Sequence, residues 1–290
     1  MGKFCNYKIV TDITCDLPFE YYEKNNIICL ELTYSIDNVE YTKYTDISIK
    51  EFYDKMRNGS VTKTAQIPPD VYKNAFENIL NDGYNIIYLA FSSGLSGGFN
   101  NARFTAESLS ELYPERKIAV IDSLCASLGE GLLLAKAVQL RDNGASFEEV
   151  TEWIESHKLN LVHLFTVDDL MFLHRGGRVS KASAIAGSLL GIKPVLHVDN
   201  EGHLIPISKV RGRKQALTDI VDRMEKLMGD HDNSLIAISH GDCLEDAEFV
   251  ASLIKKRLRV KNIIINHVGM VIGSHSGPGT IALFFEGDNR

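Results

Sequence analysis

Residues 84–109 read Tyr84-Asn85-Ile86-Ile87-Tyr88-Leu89-Ala90-Phe91-Ser92-Ser93-Gly94-Leu95-Ser96-Gly97-Gly98-Phe99-Asn100-Asn101-Ala102-Arg103-Phe104-Thr105-Ala106-Glu107-Ser108-Leu109. The apolar run 84–90 predicts a buried strand, and the helix formers at 101–109 predict a helix. The Ser/Gly loop between them directs hydroxyls, backbone N–H groups and the helix dipole at one spot, which suits a carboxylate or a phosphate. The alternative interpretation is that Ser96 only caps the helix and that the glycines only form the turn.

Strand and helix patterns alternate on both sides of this stretch through the first half of the chain. Buried strands are predicted at residues 8–11, 27–33 and 117–121, with helices at 71–80 and 131–141. Three Ser/Glu pairs have the spacing of a capping box at a helix start: Ser48/Glu51, Ser127/Glu130 and Ser146/Glu149. This alternation predicts a parallel α/β sheet with helices on both faces.

Several polar residues follow these predicted strands directly. Asp12, residues 92–96 and residues 122–123 each come at a strand end. Ligands of parallel α/β sheets bind beyond the carboxyl ends of the strands, so we expect the binding site at this edge. The stretch 61–70, which two prolines stiffen, is predicted to be a polar loop near it.

The second half has a different pattern and predicts a second domain. A chain of 290 residues is too long for one typical core, and the composition changes near residues 156–158. We therefore predict two α/β domains, residues 1–157 and 158–290. The second has a hairpin turn at 199–202 and resumes the strand and helix alternation, which predicts a mixed sheet. The Gly-rich stretch 273–279 is predicted to be a loop before the last strand.

Composition and charge exclude several classes of protein. The net charge of −7 argues against nucleic acid as the main partner. No apolar run reaches the ~18 residues that span a bilayer, and the start of the chain lacks the apolar core of a secretory signal. The cysteines are odd in number and form no C-x-x-C pair, which is typical of free thiols in a reducing compartment. We therefore expect a cytoplasmic protein without stable membrane insertion.

Motifs for nucleotides, metals and serine hydrolysis are missing from the sequence. There is no P-loop, no G-x-G-x-x-G, no H-E-x-x-H and no G-x-S-x-G. We expect no metal and no cofactor. Most histidines lie in or beside predicted strands and are interpreted as structural. His275 differs, because it lies in the Gly-rich stretch before the last strand, and it is a candidate ligand contact.

Two basic clusters stand out in the second half: Arg175, Arg178 and Lys181, and then Lys209, Arg211, Arg213 and Lys214. The simplest interpretation of such clusters is a solvated face. The first cluster surrounds Gly176-Gly177 in a predicted loop, where an exposed surface suits the docking of a partner.

These features together resemble the DegV family, bacterial proteins that bind long-chain fatty acids. The resemblance covers almost the whole chain and rests on five short motifs in order: Val10-Thr11-Asp12 with Asp16-Leu17-Pro18, Lys63-Thr64-Ala65-Gln66, Ser92-Ser93-Gly94-Leu95-Ser96-Gly97, Gly176-Gly177-Arg178-Val179-Ser180 and Gly277-Pro278-Gly279. Two departures are visible. Ala65 replaces the usual Ser, and Gly98-Phe99 stand where Thr and Tyr are common.

The resemblance implies a fatty acid held between or within two α/β domains. It implies that Thr64 and Ser96 hold the carboxylate. Ser93 is the fallback hydroxyl if Ser96 is only an N-cap, and Gly97 and His275 are further candidate contacts of the fatty acid. Some members of the family present the bound fatty acid to a separate ATP-dependent fatty acid kinase, which forms an acyl phosphate. By that resemblance Arg175 and Arg178 would dock the kinase, and the chain would be a carrier and not an enzyme. The alternative for Arg178 is that it caps a helix or pairs internally.

Two other functions stay open on the sequence. One is an enzyme that acts on a small anionic metabolite through the same strand-end hydroxyls. The other is a regulatory protein that senses lipid. The identity of the bound molecule separates the enzyme from the carrier, because a long apolar tail favours the carrier.

Overall fold

The computed structural model describes residues 6–180, 191–288 and 290. Lys181 of the first basic cluster lies outside these ranges. The first half of the chain forms, in order, β1 (Tyr7–Asp12), a 3-10 turn (Ile13–Cys15), α1 (Phe19–Lys24), β2 (Ile28–Leu30), β3 (Tyr34–Ile36), β4 (Val39–Tyr41), α2 (Ile49–Arg57), β5 (Thr62–Thr64), α3 (Pro69–Asn81), β6 (Asn85–Ala90), α4 (Gly98–Leu112), β7 (Ile118–Asp122), α5 (Leu128–Asp142) and α6 (Phe147–His157).

The second half begins with a short 3-10 turn (Lys158–Asn160). It continues as β8 (Leu161–Thr166), α7 (Leu170–Arg175), β9 (Ile192–Val198), β10 (Leu204–Arg211), α8 (Arg213–Leu227), β11 (Leu235–His240), α9 (Leu244–Arg257), β12 (Asn262–His267), α10 (Met270–Ser276) and β13 (Ile281–Glu286). Within the described residues these strands form three sheets.

The first sheet is parallel, with strand order β2-β1-β6-β7. Side chains of successive strand residues point to opposite faces. Ile9 and Ile87 therefore pack on one face against α5 and α6, while Val10 and Ile86 pack on the other face against α3 and α4. This confirms the predicted parallel sheet with helices on both faces.

The second sheet is mixed and has six strands in the order β10-β9-β8-β13-β11-β12. Only β11 and β12 run parallel among its pairs. One face, which carries Leu164 and Leu283, packs against α8 and α9. The opposite face carries Phe165 and Phe284 and joins the core that includes α5 from the first half. The mixed sheet is confirmed, and one of its faces is turned toward the first half.

The third sheet is small and corrects the predicted loop at 61–70. β5 pairs antiparallel with β3, and β3 pairs antiparallel with β4. The predicted strand 27–33 is shorter in the structure, because β2 covers only Ile28–Leu30 and the next strand, β3, begins at Tyr34. Strands of three residues carry too little alternation for the sequence to show them.

The Gly-rich stretch 273–279 is not a loop throughout, because α10 extends to Ser276. Gly273 lies inside this helix, and a Cβ atom there would come within 2.5 Å of the Tyr53 hydroxyl. The glycine thus permits close packing between helices rather than a turn. α10 packs against α7, which likewise replaces part of the loop predicted around Gly176.

Of the three predicted capping boxes, the one at Ser146 is complete, and Ser48 accepts a hydrogen bond from the Glu51 N–H. Ser127 precedes α5 but makes no capping bond. Its backbone has φ 54° and ψ −143°, and its hydroxyl contacts buried side chains instead. The capping interpretation of Ser127 and Glu130 is therefore wrong.

All strands of the first and third sheets precede residue 157, and all strands of the second sheet follow it. The core is nevertheless shared, because α5 packs on the face of the second sheet. The division into domains 1–157 and 158–290 stays a prediction.

Candidate functional site

A cavity of about 170 Å³ lies between the carboxyl ends of β1, β6 and β7 and the inner face of β8 and β13. Thr14, Ser96 and Ser127 line it from the first side, and Phe165 and Phe284 line it from the second. A water molecule needs only ~10–15 Å³ of such volume, so the cavity has room for a much larger guest. It lies where parallel α/β sheets bind ligands.

Most of the wall of this cavity is apolar. The apolar side chains that line it are Leu32, Ala65, Phe91, Leu95, Ala126, Phe165, Leu173, Val198, Leu204, Val268, Val271, Ile272, Ala282 and Phe284. They come from both halves of the chain, which explains why no single stretch of sequence shows them. A wall of this kind suits an apolar ligand that a few polar groups orient.

Two of the predicted hydroxyls line the cavity. Thr64 comes from the end of β5, and Ser96 comes from the loop between β6 and α4. Thr64 Oγ1 lies 2.7 Å from His275 Nε2. Ser96 Oγ accepts a hydrogen bond of 3.2 Å from the Gly98 N–H, while Gly97 occupies the N-cap position. Ser96 therefore supports the start of α4 and faces the cavity as well.

Ser93 and Gly97 occupy different surroundings. Ser93 is exposed and does not line the cavity, and its N–H donates to Asp122 Oδ1 at 3.1 Å. A Cβ atom at Gly97 would lie 2.7 Å from Gln66 Nε2. Gly97 thus makes room for Gln66, a cavity residue that the sequence analysis named only as part of a motif.

His275 lies on α10 and lines the same cavity. Burial, with a smaller contribution from the Arg178 charge, lowers the pKa of His275 to about 4. The imidazole is therefore neutral at pH 7. Its Nδ1 atom is buried and has no hydrogen bond partner among the described residues, and a Cβ atom at Gly176 would lie 2.2 Å from it. A side chain at position 176 would clash with the imidazole, so the segment that follows α7 can pack against His275 only with a glycine there.

The two predicted docking arginines differ in position. Arg178 is half-buried and lines the cavity, and its Nε donates to the Leu95 carbonyl at 3.0 Å while Nη1 donates to the Gly176 carbonyl. Burial lowers the pKa of its guanidinium. Arg175 is exposed, with its guanidinium 4.5 Å from the centre of the Phe172 ring. Arg178 therefore ties α7 to the loop that carries Ser96, whereas Arg175 faces outward.

Known proteins resemble this chain over nearly its whole length. The model of the DegV family, described as uncharacterised proteins, matches residues 6–288. The chain belongs to the DegV family. A DegV domain-containing protein of Clostridium perfringens is 42% identical over 292 residues, which cover 100% of this chain and 99% of that protein.

Solved DegV structures have the same fold. A fatty acid binding DegV family protein from Streptococcus agalactiae is 29% identical, with a TM-score of 0.87 over 98% of this chain and 100% of that one. A stearic acid-binding protein from Eubacterium ventriosum is 26% identical, with a TM-score of 0.84 over 96% and 97% of the two chains. The predicted family and the α/β fold with a parallel and a mixed sheet are thereby confirmed.

The first half of this DegV chain also contains a cluster of buried carboxyl groups that the sequence analysis missed. We call Asp12, Asp16 and Glu130 the acid cluster; their side chains are 4%, 5% and 0% exposed. Burial raises the pKa of each, for Asp16 to about 8. In the sequence Asp12 was recognisable only as a strand-end residue, and Glu130 resembled part of a helix cap.

Hydrogen bonds in the acid cluster show how the carboxyl groups coexist. The Thr14 hydroxyl lies 2.5 Å from Asp12 Oδ1 and 3.0 Å from Glu130 Oε2. One hydroxyl has one proton, so the second contact needs a proton from a carboxyl group. Ser127 Oγ lies 2.5 Å from Asp16 Oδ2 and 2.9 Å from Ser239 Oγ. Since Thr14, Ser127 and Ser239 also line the cavity, the acid cluster supports one of its walls.

No group of three or more His, Cys, Asp or Glu residues could hold a metal ion among residues 6–180, 191–288 and 290. Over the same ranges, every helix is too short or too polar to cross a membrane.

Proposed function

We propose that this protein binds a long-chain fatty acid in the cavity between its two halves. The observation that carries the proposal is that Thr64, Ser96 and His275, from three separate elements, meet at a cavity whose walls are otherwise mostly apolar. Membership of the DegV family and the fatty acid binding of its structural neighbours support it. The carboxylate lies at Thr64 and Ser96, and the acyl chain occupies the apolar part.

The energetics assign different roles to the tail and the head group. Burial of ~14 methylene groups at about 0.8 kcal/mol each contributes roughly 11 kcal/mol of gross transfer free energy. A hydrogen bond to a charged group contributes only about 1.5–3 kcal/mol. The tail therefore dominates the affinity, and Thr64 and Ser96 fix the orientation.

His275 orients Thr64 for this task. Because its pKa is lowered to about 4, the ring is neutral at pH 7 and carries one proton. With that proton on Nε2, the ring donates to Thr64 Oγ1 and leaves the Thr64 hydroxyl proton for the carboxylate. Arg178 adds a positive charge at the cavity and holds the Leu95 carbonyl beside Ser96.

Native mass spectrometry of the purified protein before and after delipidation tests the ligand. We expect a bound fatty acid and uptake of added fatty acid by the delipidated protein. Absence of both contradicts the proposal. Recovery of a small polar metabolite would instead favour the enzyme that the sequence left open.

The double variant Thr64→Ala with Ser96→Ala tests the head-group site. Fatty acid affinity should weaken by a few kcal/mol at most, because the tail contacts remain. Ser93→Ala is the matched control, since Ser93 is exposed and outside the cavity. Equal affinities of the double variant and the control would contradict the assignment of Thr64 and Ser96.

We further propose that the protein presents the bound carboxylate to a separate ATP-dependent fatty acid kinase. Arg175 supports this role, because it is exposed close to the head-group site and has no ion pair within the described residues. In a pull-down with the cognate kinase, Arg175→Ala should weaken complex formation and reduce its dependence on salt. Full phosphorylation by the kinase with this variant would remove Arg175 from the docking surface.

A further inference from the structure

Three buried hydroxyls interrupt the apolar wall of the cavity. They belong to Thr14, Ser127 and Ser239, which are 1%, 4% and 0% exposed, and all three residues line the cavity. We call them the wall hydroxyls. A plain alkyl chain gives a hydroxyl no hydrogen bond in exchange for the water that it displaces, so these side chains do not improve the binding of such a chain.

Ser239 lies beside the path of the acyl chain and not at the carboxylate. It is directly opposite Ala282 in the pairing of β11 with β13, so both side chains point to the same face of the sheet. The Thr280 hydroxyl donates to the Ser276 carbonyl, next to the predicted head-group contact His275. Ala282 is two residues farther along the chain, which corresponds to roughly 7 Å in an extended strand.

Among the wall hydroxyls, Ser239 has hydrogen-bonding capacity to spare. The Thr14 hydroxyl is shared between two carboxyl groups, and Ser127 Oγ lies between Asp16 Oδ2 and Ser239 Oγ. Within the part of the chain that the structure describes, Ser127 is the one side-chain hydrogen bond partner of Ser239 Oγ. A hydroxyl can donate one hydrogen bond and accept two, so Ser239 can also bind a group inside the cavity.

The proton of Asp16 determines what Ser239 offers. Burial raises the pKa of Asp16 to about 8, so the carboxyl group carries a proton at pH 7. Its Oδ1 accepts from the Gly269 N–H, which leaves the proton on Oδ2, and Oδ2 faces Ser127. Ser127 then donates to Ser239, whose own proton is free. When Asp16 ionises, these bonds reverse and Ser239 offers lone pairs. A ligand hydroxyl suits both states, because it donates and accepts.

We propose that the cavity accepts a fatty acid that carries a hydroxyl group along its chain, with Ser239 as the hydrogen bond partner of that group. This inference rests on the proposed fatty acid site, and it concerns a position that the carboxylate does not occupy. Beside Phe165 or Phe284 a ligand hydroxyl would be buried without a partner and should weaken binding at least ~10-fold. Recognition should therefore depend on where the hydroxyl stands on the chain.

Binding to the delipidated full-length protein tests the inference. The probes are hexadecanoic acid and a series of monohydroxyhexadecanoic acids, in which the hydroxyl moves one carbon at a time from C5 to C14. We expect one isomer, or two adjacent ones, to bind within ~2-fold of hexadecanoic acid or more tightly, and the others to bind at least ~10-fold more weakly. In Ser239→Ala the affinity of the preferred isomer relative to hexadecanoic acid should fall ~10-fold.

The control is Ser123→Ala, which removes a hydroxyl that is 0% exposed and does not line the cavity. It should keep the wild-type ratio of affinities. Because the readout is a ratio, a general effect of a substitution on fatty acid binding cancels. Ser239→Cys is a second variant that keeps the size of the side chain, and its weak thiol donor should lower the ratio as well.

The inference is overturned if all isomers bind the wild-type protein alike, or if the preference survives in Ser239→Ala. It is also overturned if Ser123→Ala loses the preference to the same extent. In each of these cases the binding of hexadecanoic acid leaves the proposed fatty acid site intact. If neither hexadecanoic acid nor any isomer binds, the proposed function fails, and this inference fails with it.

Discussion

Two groups of like charges lie near the cavity and avoid repulsion in different ways. The acid cluster supports one of its walls, and the cations Lys63 and Arg175 line a neighbouring pocket that shares Thr64 and His275 with it. The carboxyl groups of Asp12, Asp16 and Glu130 are buried, and burial raises the pKa of each. Lys63 and Arg175 are exposed and make no ion pair within the described residues. The comparison shows that burial disfavours the charged forms of neighbouring carboxyl groups, whereas exposure leaves cations available for a ligand.

The largest effect should come from the acid cluster at Glu130. Glu130→Ala removes the carboxyl contacts with the Thr14 and Thr11 hydroxyls and creates a buried cavity, so it should lower the free energy of unfolding by about 2–4 kcal/mol. Glu130→Gln keeps the shape of a protonated carboxyl and should cost less than about 1 kcal/mol. Urea unfolding at pH 7 measures both. Equal losses would show that Glu130 is charged and that the comparison is wrong.

Asp16 should make stability depend on pH. Its pKa is about 8 in the folded protein and near 3.8 when exposed, so the folded state retains a proton that the unfolded state loses between these values. The stabilisation that this retained proton gives the folded state is complete below pH 4, declines as the pH rises to about 8, and changes no further above that pH. Asp16→Asn should flatten the decline by on the order of 1 kcal/mol per pH unit.

The matched control for this measurement is Asp230→Asn, because Asp230 is exposed. Unfolding free energies from pH 5 to pH 9 should show the same decline for this control as for the wild-type protein. If Asp16→Asn also follows the wild-type curve, then Asp16 is ionised in the folded state.

Arg178 lies between the two extremes and should have an intermediate effect. Arg178→Ala removes hydrogen bonds to the Leu95 and Gly176 carbonyls. We expect a loss of about 1–2 kcal/mol in the free energy of unfolding, because the side chain is only half-buried. Arg178→Lys keeps the charge but not both bonds, and it should recover less than half of the loss. Full recovery would mean that charge, not geometry, matters here.

The smallest effect should come from Arg175. Arg175→Ala removes an exposed side chain and one contact with the Phe172 ring, so the free energy of unfolding should change by less than about 0.5 kcal/mol. Thermal and urea unfolding measure it. A loss as large as that of Arg178→Ala would show that Arg175 is structural, and the contrast between the two clusters would disappear.

The sequence predicted those parts of the molecule whose pattern is local. The alternation of strands and helices predicted the parallel sheet, and the Ser/Gly loop pointed to the segment that carries Ser96. Thr64 was named only through the resemblance to the DegV family, and both residues line the cavity. α10 was missed because Gly273 and its neighbours are typical of a loop. A glycine is needed at position 273 because the Tyr53 side chain, which is far away in the sequence, packs against it.

Buried partners explain the other differences. The Ser127/Glu130 spacing predicted a helix cap, but Asp16 and Ser239 bind the serine and Thr14 binds the glutamate. Arg178 was predicted to face a partner protein, and its contact with the Leu95 carbonyl became visible only in the fold. Local spacing cannot show which distant group competes for a side chain.

The tip of the β9–β10 hairpin contacts the loop that carries Ser96. Ser92 Oγ donates a hydrogen bond of 2.9 Å to the Gly202 carbonyl, although the two residues are 110 positions apart in the sequence. A Cβ atom at Gly202 would lie 2.1 Å from Ser92 Oγ. On the ribosome, the first half of a nascent chain leaves the exit tunnel before this hairpin exists, and β13 completes the cavity wall later still. The growing chain can therefore acquire its ligand only at a late stage of synthesis, after most of the sheets are in place.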